Sequence, residues 1–237
     1  MATVSYRKQL PKALLPNEIE LFDQKLRLLD DKALYLPSEN ALLVSDVHLG
    51  KAETFQSLGI PISNEMNEEN LRRLRSLQKQ TQAKKLFILG DLFHSKSALA
   101  PEVLISWDNF LKEINAKTTL IVGNHDRQLI DALPPLSMHC QLDAVKLGPF
   151  LLSHEPETTH DAVLNICGHI HPVVKLRSQT DSLRLPCFFV EKDDKRLTLP
   201  SFGEFTGGYE VKLINNTCAY VACEGEAIAF EPKPSQN

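Results

Sequence analysis

Five short apolar runs, at residues 41–45, 85–89, 118–122, 150–153 and 163–167, each end on a turn signal or a polar cluster. Runs of this length and makeup read as buried strands. Two helical patterns lie between them. Residues 65–82 put Leu71, Leu74 and Leu77 on one side behind a candidate Asn64 cap, and residues 101–114 space Leu104, Trp107, Leu111 and Ile114 by three or four. Strand alternating with helix predicts an α/β layered domain. After about Phe188 the texture changes to strand-like pieces at 187–190, 209–213, 218–222 and 227–230, separated by Gly, Asn and Pro, which predicts a second, more antiparallel sheet. Pieces at 18–21 and 33–36 fit either sheet.

How many cores the chain can build depends on its apolar content. At 237 residues and 43% hydrophobic, one α/β domain is expected over residues 1–230, with the Pro- and charge-rich residues 231–237 as a disordered tail. Residues 1–8 lack an apolar run able to act as a secretory signal, and the stretch 218–223 is too short to cross a bilayer. A cytoplasmic location and no membrane partner are therefore expected. Five cysteines without a C-x-x-C pair predict reduced, mostly packed thiols instead of disulfides or a thiolate zinc site. A net charge of −4 excludes a surface built throughout to hold nucleic acid, and leaves room for a local basic groove.

The residues able to do chemistry stand just past the strands. After the five runs come Asp46 and His48; Gly90 and Asp91; Gly123, Asn124, His125 and Asp126; His154; and Gly168, His169 and His171. Of eight histidines in the chain, five stand at these ends and a sixth, His94, comes three residues past Asp91. Layered α/β folds gather ligands outside the carboxyl ends of their strands, so these residues can converge from distant parts of the chain. Asp-x-His and His-x-His spacings put two side chains on one side of an extended segment, where they can share a cation. Mixed nitrogen and oxygen ligation suits Mn, Fe, Zn or Co better than Mg or Ca alone. Glycine at 90, 123 and 168 fits sharp exits from strands.

In this order the blocks resemble the calcineurin-like metallophosphoesterase superfamily over residues 46–171. The resemblance implies a two-sheet β-sandwich flanked by helices, with the site at strand ends. It also implies two divalent ions, manganese first among them, and hydrolysis of a phosphate ester by a bridging hydroxide. One ion is expected on Asp46, His48, Asp91 and His171 and the other on Asp91, Asn124, His154 and His169, with Asp91 as the bridge. His125 is expected to stabilise the transition state or protonate the leaving oxygen, with Asp126 orienting its imidazole. The block Gly90, Asp91, Leu92, Phe93, His94 resembles the SbcD-like nuclease branch, which implies that His94 contacts the scissile phosphate. Residues 48–52, 59–61, 166–172 and 199–208 are similar to bacterial ligase-associated DNA damage response endonucleases. That similarity implies a DNA substrate and DNA-repair proteins such as a ligase or helicase as partners.

Two other functions fit the same blocks. The metal core of this superfamily also serves small-molecule esters, such as a nucleotide or a lipid-linked diphosphate, and the fold can act as a non-catalytic scaffold. The full ligand set and His125 disfavour the scaffold. A symmetric homodimer is compatible with the sequence. Lys51, close behind His48, reads as solvated at a helix start or as reaching a substrate phosphate, and Arg72, Arg75 and Lys79 as a solvated helix face or a nucleic-acid track, the solvated reading favoured in both cases. Residues 201–208 read as a tight turn between sandwich strands in preference to a substrate-facing loop, Cys167 as packed, and His139 and His160 as surface or turn residues.

Overall fold

The computed structural model describes residues 5–6, 15–63, 65–158, 163–178, 180–204 and 206–232. A short strand, β1 (Ser5–Tyr6), opens the chain. The first sheet then runs in chain order through β2 (Glu18–Leu21), β3 (Gln24–Leu29), β4 (Ala33–Leu36), β5 (Ala41–Val44), β6 (Lys85–Leu89), β7 (Lys117–Ile121) and β8 (His139–Gln141). Pairing is antiparallel from β2 to β5 and parallel from β5 to β8. The pieces at 18–21 and 33–36 thus join this sheet. His139 lies in the edge strand β8, exposed, rather than in a turn. Asn64 and His160 lie outside the described residues.

Successive strand residues point to opposite faces, which divides the apolar runs between two cores. On one side Leu42, Val44, Leu86, Ile88 and Leu120 meet two helices, α2 (Glu65–Thr81) and α3 (Pro101–Glu113), preceded in the chain by a shorter α1 (Lys51–Ser57). Leu71, Leu74 and Leu77 of α2 are buried there, as are Val103, Trp107, Phe110 and Leu111 of α3, while Leu104 is only partly buried. On the other side Leu34, Leu36, Ala41, Leu43, Phe87, Leu89 and Ile121 face a second sheet. A one-turn helix, α4 (Asn124–Arg127), comes after β7.

The second sheet begins with β9 (Val145–Leu147), β10 (Phe150–Leu152) and β11 (Leu164–Cys167). A hairpin of β12 (Pro172–Arg177) and β13 (Ser182–Pro186) then leaves it, and β14 (Phe188–Glu191) and β15 (Arg196–Thr198) return to it. The short β16 (Tyr209–Glu210) pairs with β12, and β17 (Thr217–Cys223) and β18 (Glu226–Glu231) complete the second sheet in the order β1-β18-β17-β14-β15-β11-β10-β9. Phe150, Leu152, Leu164, Ile166, Phe188 and Val190 fill the sandwich against the first sheet. Phe189, Ala219 and Val221 point the other way and meet Val174 and Val211 of the small β13-β12-β16 sheet.

The architecture is the expected two-sheet sandwich flanked by helices, with a third small sheet added. The runs at 150–153 and 163–167 lie in the second sheet, whereas the helix-separated runs β5, β6 and β7 lie in the first. Residues 209–213 pair only over β16. Cys167, Cys187 and Cys218 are buried, in line with mostly packed thiols, and Cys140 and Cys223 are exposed. Strand β18 carries order to Glu231, and residues 233–237 lie outside the described residues. No described helix is long and apolar enough to cross a membrane.

Candidate metal centre

The parallel ladder of β5 and β6 continues past the last strand residues: Asp46 N–H donates to Gly90 O at 3.1 Å and His48 N–H to Asp91 O at 3.0 Å. The chain then turns through left-handed backbone, with φ of 54° at Asp46, 50° at His48, 52° at Asp91, 67° at His169 and 52° at His171. Such conformations cost L-residues on the order of 1–3 kcal/mol each and persist where surrounding structure holds them. Here they turn five donor side chains into one space. The exits are also tight. A Cβ on Gly90, itself at φ 80°, would lie 2.0 Å from His154 Nδ1, and one on Gly168 would lie 1.6 Å from Ser45 Oγ.

Donor atoms of Asp46, His48 and His171 lie within 4.8 Å of one another, as do those of Asp46, Asp91 and His154. Asp46 Oδ1 and His171 Nε2 are 3.1 Å apart, yet both are buried without a hydrogen-bond partner, as two ligands of one cation would be. His171 Nδ1 donates to Gly207 O at 3.1 Å and His154 Nδ1 to Leu89 O at 2.9 Å. A carbonyl only accepts, so each imidazole carries a proton on Nδ1 and, in its neutral form, leaves Nε2 as a lone pair. The lone pair of His154 Nε2 sits 2.9 Å from Asn124 Oδ1, and His169 Nδ1 lies 3.1 Å from both. These three atoms are close enough to turn toward a single cation. The residues therefore fit a metal.

Asp46 belongs to both donor groups as the side chains stand. Asp91 Oδ1 instead accepts the N–H of His125 at 3.0 Å. Burial raises the Asp91 carboxyl above its usual range, even against the opposing charge of His154. Burial would do the same to Asp46, but His171 and Ser45 outweigh it and hold that carboxyl low. His48 is pulled down to about 3 by burial, which keeps its ring neutral and able to ligate.

His125 and His94 complete the cluster. Their rings stack at 5.4 Å and 19°, and His125 Nδ1 donates to His94 O at 2.8 Å, which leaves Nε2 facing Asp91 Oδ2 at 3.9 Å. Burial, with the nearby charges of Lys51 and His125, pulls His94 down to about 4. Asp126 does not orient His125. Its buried carboxylate accepts the N–H groups of Gly123, Phe93 and Leu92 at 3.0, 3.1 and 3.3 Å, and the carbonyl of His94 positions the imidazole instead. Lys51, expected in solvent, is only 8% exposed beside His48 and His94.

Three supports escape a reading of the sequence. Ser45 Oγ contacts Asp46 Oδ2 and Leu89 O. Ser201 Oγ and Gly203 N–H donate to Asp46 O at 2.9 and 3.0 Å, and Phe202 N–H donates to Ser45 O at 2.8 Å. Residues 201–204 are therefore a brace on the first donor loop, and β15 and β16 lie in different sheets instead of flanking a tight turn within the sandwich. Arg73 holds the brace to α2 through Phe202 O and Glu204, both at 3.1 Å. Its one signal in sequence is a cation flanking the apolar stripe of Leu71, Leu74 and Leu77. Arg72 and Arg75 pair at the surface with Glu69 and Glu113, as a solvated face should. A cleft of about 360 Å³ opens beside Asn124 and His154, with Arg127, Asp143, Glu155 and Glu157 among its walls.

Residues 40–178 match the family described as calcineurin-like phosphoesterase. Among solved structures, the nuclease MPE of Pseudomonas putida is 39% identical, with 91% of this chain and 96% of that chain covered and a TM-score of 0.73. The phosphoesterase Yfce of E. coli is 17% identical, with 82% of this chain and 99% of that one covered and a TM-score of 0.43. No curated protein sequence matches.

Proposed function

Since the chain belongs to the calcineurin-like phosphoesterase family, we propose that it is a two-metal phosphodiesterase that cuts DNA in the course of DNA repair. The observation that carries the phosphodiester chemistry is the convergence of Asp46, His48, Asp91, His154 and His171 donor atoms in two groups, each within 4.8 Å and sharing Asp46. Following the family resemblance, in which Asp91 and not Asp46 is the shared ligand, we assign one ion, manganese by preference, to Asp46, His48, Asp91 and His171, and the other to Asp91, Asn124, His154 and His169. When bound, such a pair supplies Lewis-acid charge at phosphorus and an acidified water. The protein's own groups do the rest. His154 and His171 are locked by the carbonyls of Leu89 and Gly207 with Nε2 aimed inward. His125 is held through Nδ1–H by the carbonyl of His94, so its Nε2 gives a proton to the departing oxygen only from the doubly protonated imidazolium. His94, kept neutral by burial, offers a hydrogen bond to a phosphate oxygen without adding charge.

The choice of DNA rests on the likeness to a protein named as a nuclease, 96% of which this chain covers. The cleft beside His154 favours a second reading, since its size and acidic walls suit a single small ester better than a polyanion. Hydrolysis of bis-p-nitrophenyl phosphate and of a labelled DNA panel by the manganese-loaded protein separates them. Both substrates should be cut, and His125→Ala should slow both by about 100-fold or more. Cleavage of the small ester alone would select the second reading.

A further inference from the structure

The surroundings of the centre are electrically lopsided. On the His154 side, the cleft sets the carboxylates of Asp143, Glu155 and Glu157 against the one cation Arg127. On the His171 side, the small β13-β12-β16 sheet begins one residue after a ligand, and Tyr209 N–H donates to His171 O at 2.9 Å. The inner face of that sheet is settled by packing, because Val174, Leu176, Leu185, Val211 and Leu213 all belong to the third core. Residues between them must face outward, since side chains alternate along a strand and paired residues share a face.

Among those outward residues, beside Val173, Ser182, Pro186 and Glu210, stand four bases. Lys175 is paired across the ladder with Arg184, and Arg177 comes two residues on in β12. Lys212 lies between the inward Val211 and Leu213, and Arg177, Arg184 and Lys212 are all exposed. Among the described residues, the acid in this row is Glu210, 3.9 Å from Lys175. Arg184 also donates to Gly208 O at 2.5 Å, next to the Gly207 carbonyl that fixes His171. A cationic face in a chain of net charge −4 is a local feature set against the overall balance. Its cations recur along β12 at about 6.6 Å per two residues, a spacing that a phosphodiester backbone can follow.

We propose that this face, built from Lys175, Arg177, Arg184 and Lys212, is the DNA-binding track that leads the strand to the metals from the His171 side. The inference rests on the DNA-cleaving reading of the metal centre. Phosphates repelled by the acidic cleft and drawn by the basic sheet approach from one direction, so the substrate has a polarity across the site. The bound partner makes its contacts through charge, without base-specific recognition.

The test uses the manganese-loaded protein with the charge-reversing pair Arg177→Glu and Lys212→Glu, and separately with the milder Arg177→Ala. Arg177 ends β12, six residues past His171, and Lys212 stands five residues past Gly207, at about 3.3 Å per residue of extended chain. For the reversed pair, KM for a labelled oligonucleotide should rise at least tenfold, with kcat/KM on bis-p-nitrophenyl phosphate unchanged. The alanine variant should lower the dependence of log KM on log salt by about 0.7 for a single strand or 0.9 for a duplex. Unchanged DNA kinetics and salt slope in a wild type that cuts DNA would overturn the track alone. Equal loss on both substrates would overturn it as well, by making the sheet a support for His171. A wild type that hydrolyses the ester and neither binds nor cuts DNA would remove the DNA reading and this inference together. Binding to phosphatidylserine vesicles lost in the reversed pair, with DNA kinetics intact, would assign the face to a membrane.

Discussion

Asp126 has no solvent exposure, and the three backbone N–H groups it accepts belong to the segments that carry Asp91 and His125. Removing the carboxylate would leave buried donors unpaired at about 1–3 kcal/mol apiece, less than additive. Asp126→Ala should therefore lower unfolding stability by about 3 kcal/mol or more in urea titration, and Asp126→Asn, which keeps an acceptor oxygen, by clearly less. A loss below about 1 kcal/mol for the alanine variant would contradict the pinning role. The sequence makes Asp126 look like a partner of His125 because the two are adjacent. Within one helical turn, neighbours i and i+1 do not face each other, and only the fold reveals the His94 carbonyl that takes the role. Lys51 misleads in the same way. A lysine at a helix start is usually wet, and nothing local announces that this one is packed beside two histidines. The nine named site residues other than Asp126 do gather around one centre, because residue type after a strand end is a strong local signal.

At the level of single elements, α3 shows what packing demands. Trp107 is fully buried in the core beneath β5 to β7, its ring stacked on Phe110 at 5.0 Å. Truncation to alanine should cost about 3–5 kcal/mol. The indole Nε1–H, however, is buried with no hydrogen-bond partner. Trp107→Phe gives up a donor that contributes nothing in the folded state, and its cost should be well under half that of alanine, as read from paired urea midpoints. Equal costs would mean that the indole N–H is bonded after all. Helices of this kind are legible: the spacing of Leu71, Leu74 and Leu77, and of Trp107 and Leu111, fixes both helices to within one residue at each end. Strand β8 is not, because three exposed residues on a sheet edge carry no apolar period. The sheet to which β10 and β11 belong is also hidden, since a buried strand is equally apolar in either layer.

Across the whole molecule, the donors come from both layers: Asp46, His48, Asp91 and Asn124 follow strands of the first sheet, and His154, His169 and His171 follow strands of the second. A cation held between them would tie the two sheets together. Manganese should accordingly raise the melting temperature over EDTA-treated protein, with a stabilisation near 2.7 kcal/mol at 100-fold excess over Kd. The increment should shrink in His171→Ala. A melting curve indifferent to EDTA would show that the layers hold without the ion.

The brace has a bearing on how the protein comes into being. The first donor loop, at Asp46, is fastened by Ser201 and Gly203, which the ribosome adds long after it. At ordinary elongation rates the gap is roughly 8 to 30 s. During that time the early carboxylates and imidazoles emerge without the groups that will hold them, and His154, His169 and His171 are still to be made. The full donor set and its brace thus exist together only once residue 203 has been made, so binding that draws on all of them comes late in synthesis or after it.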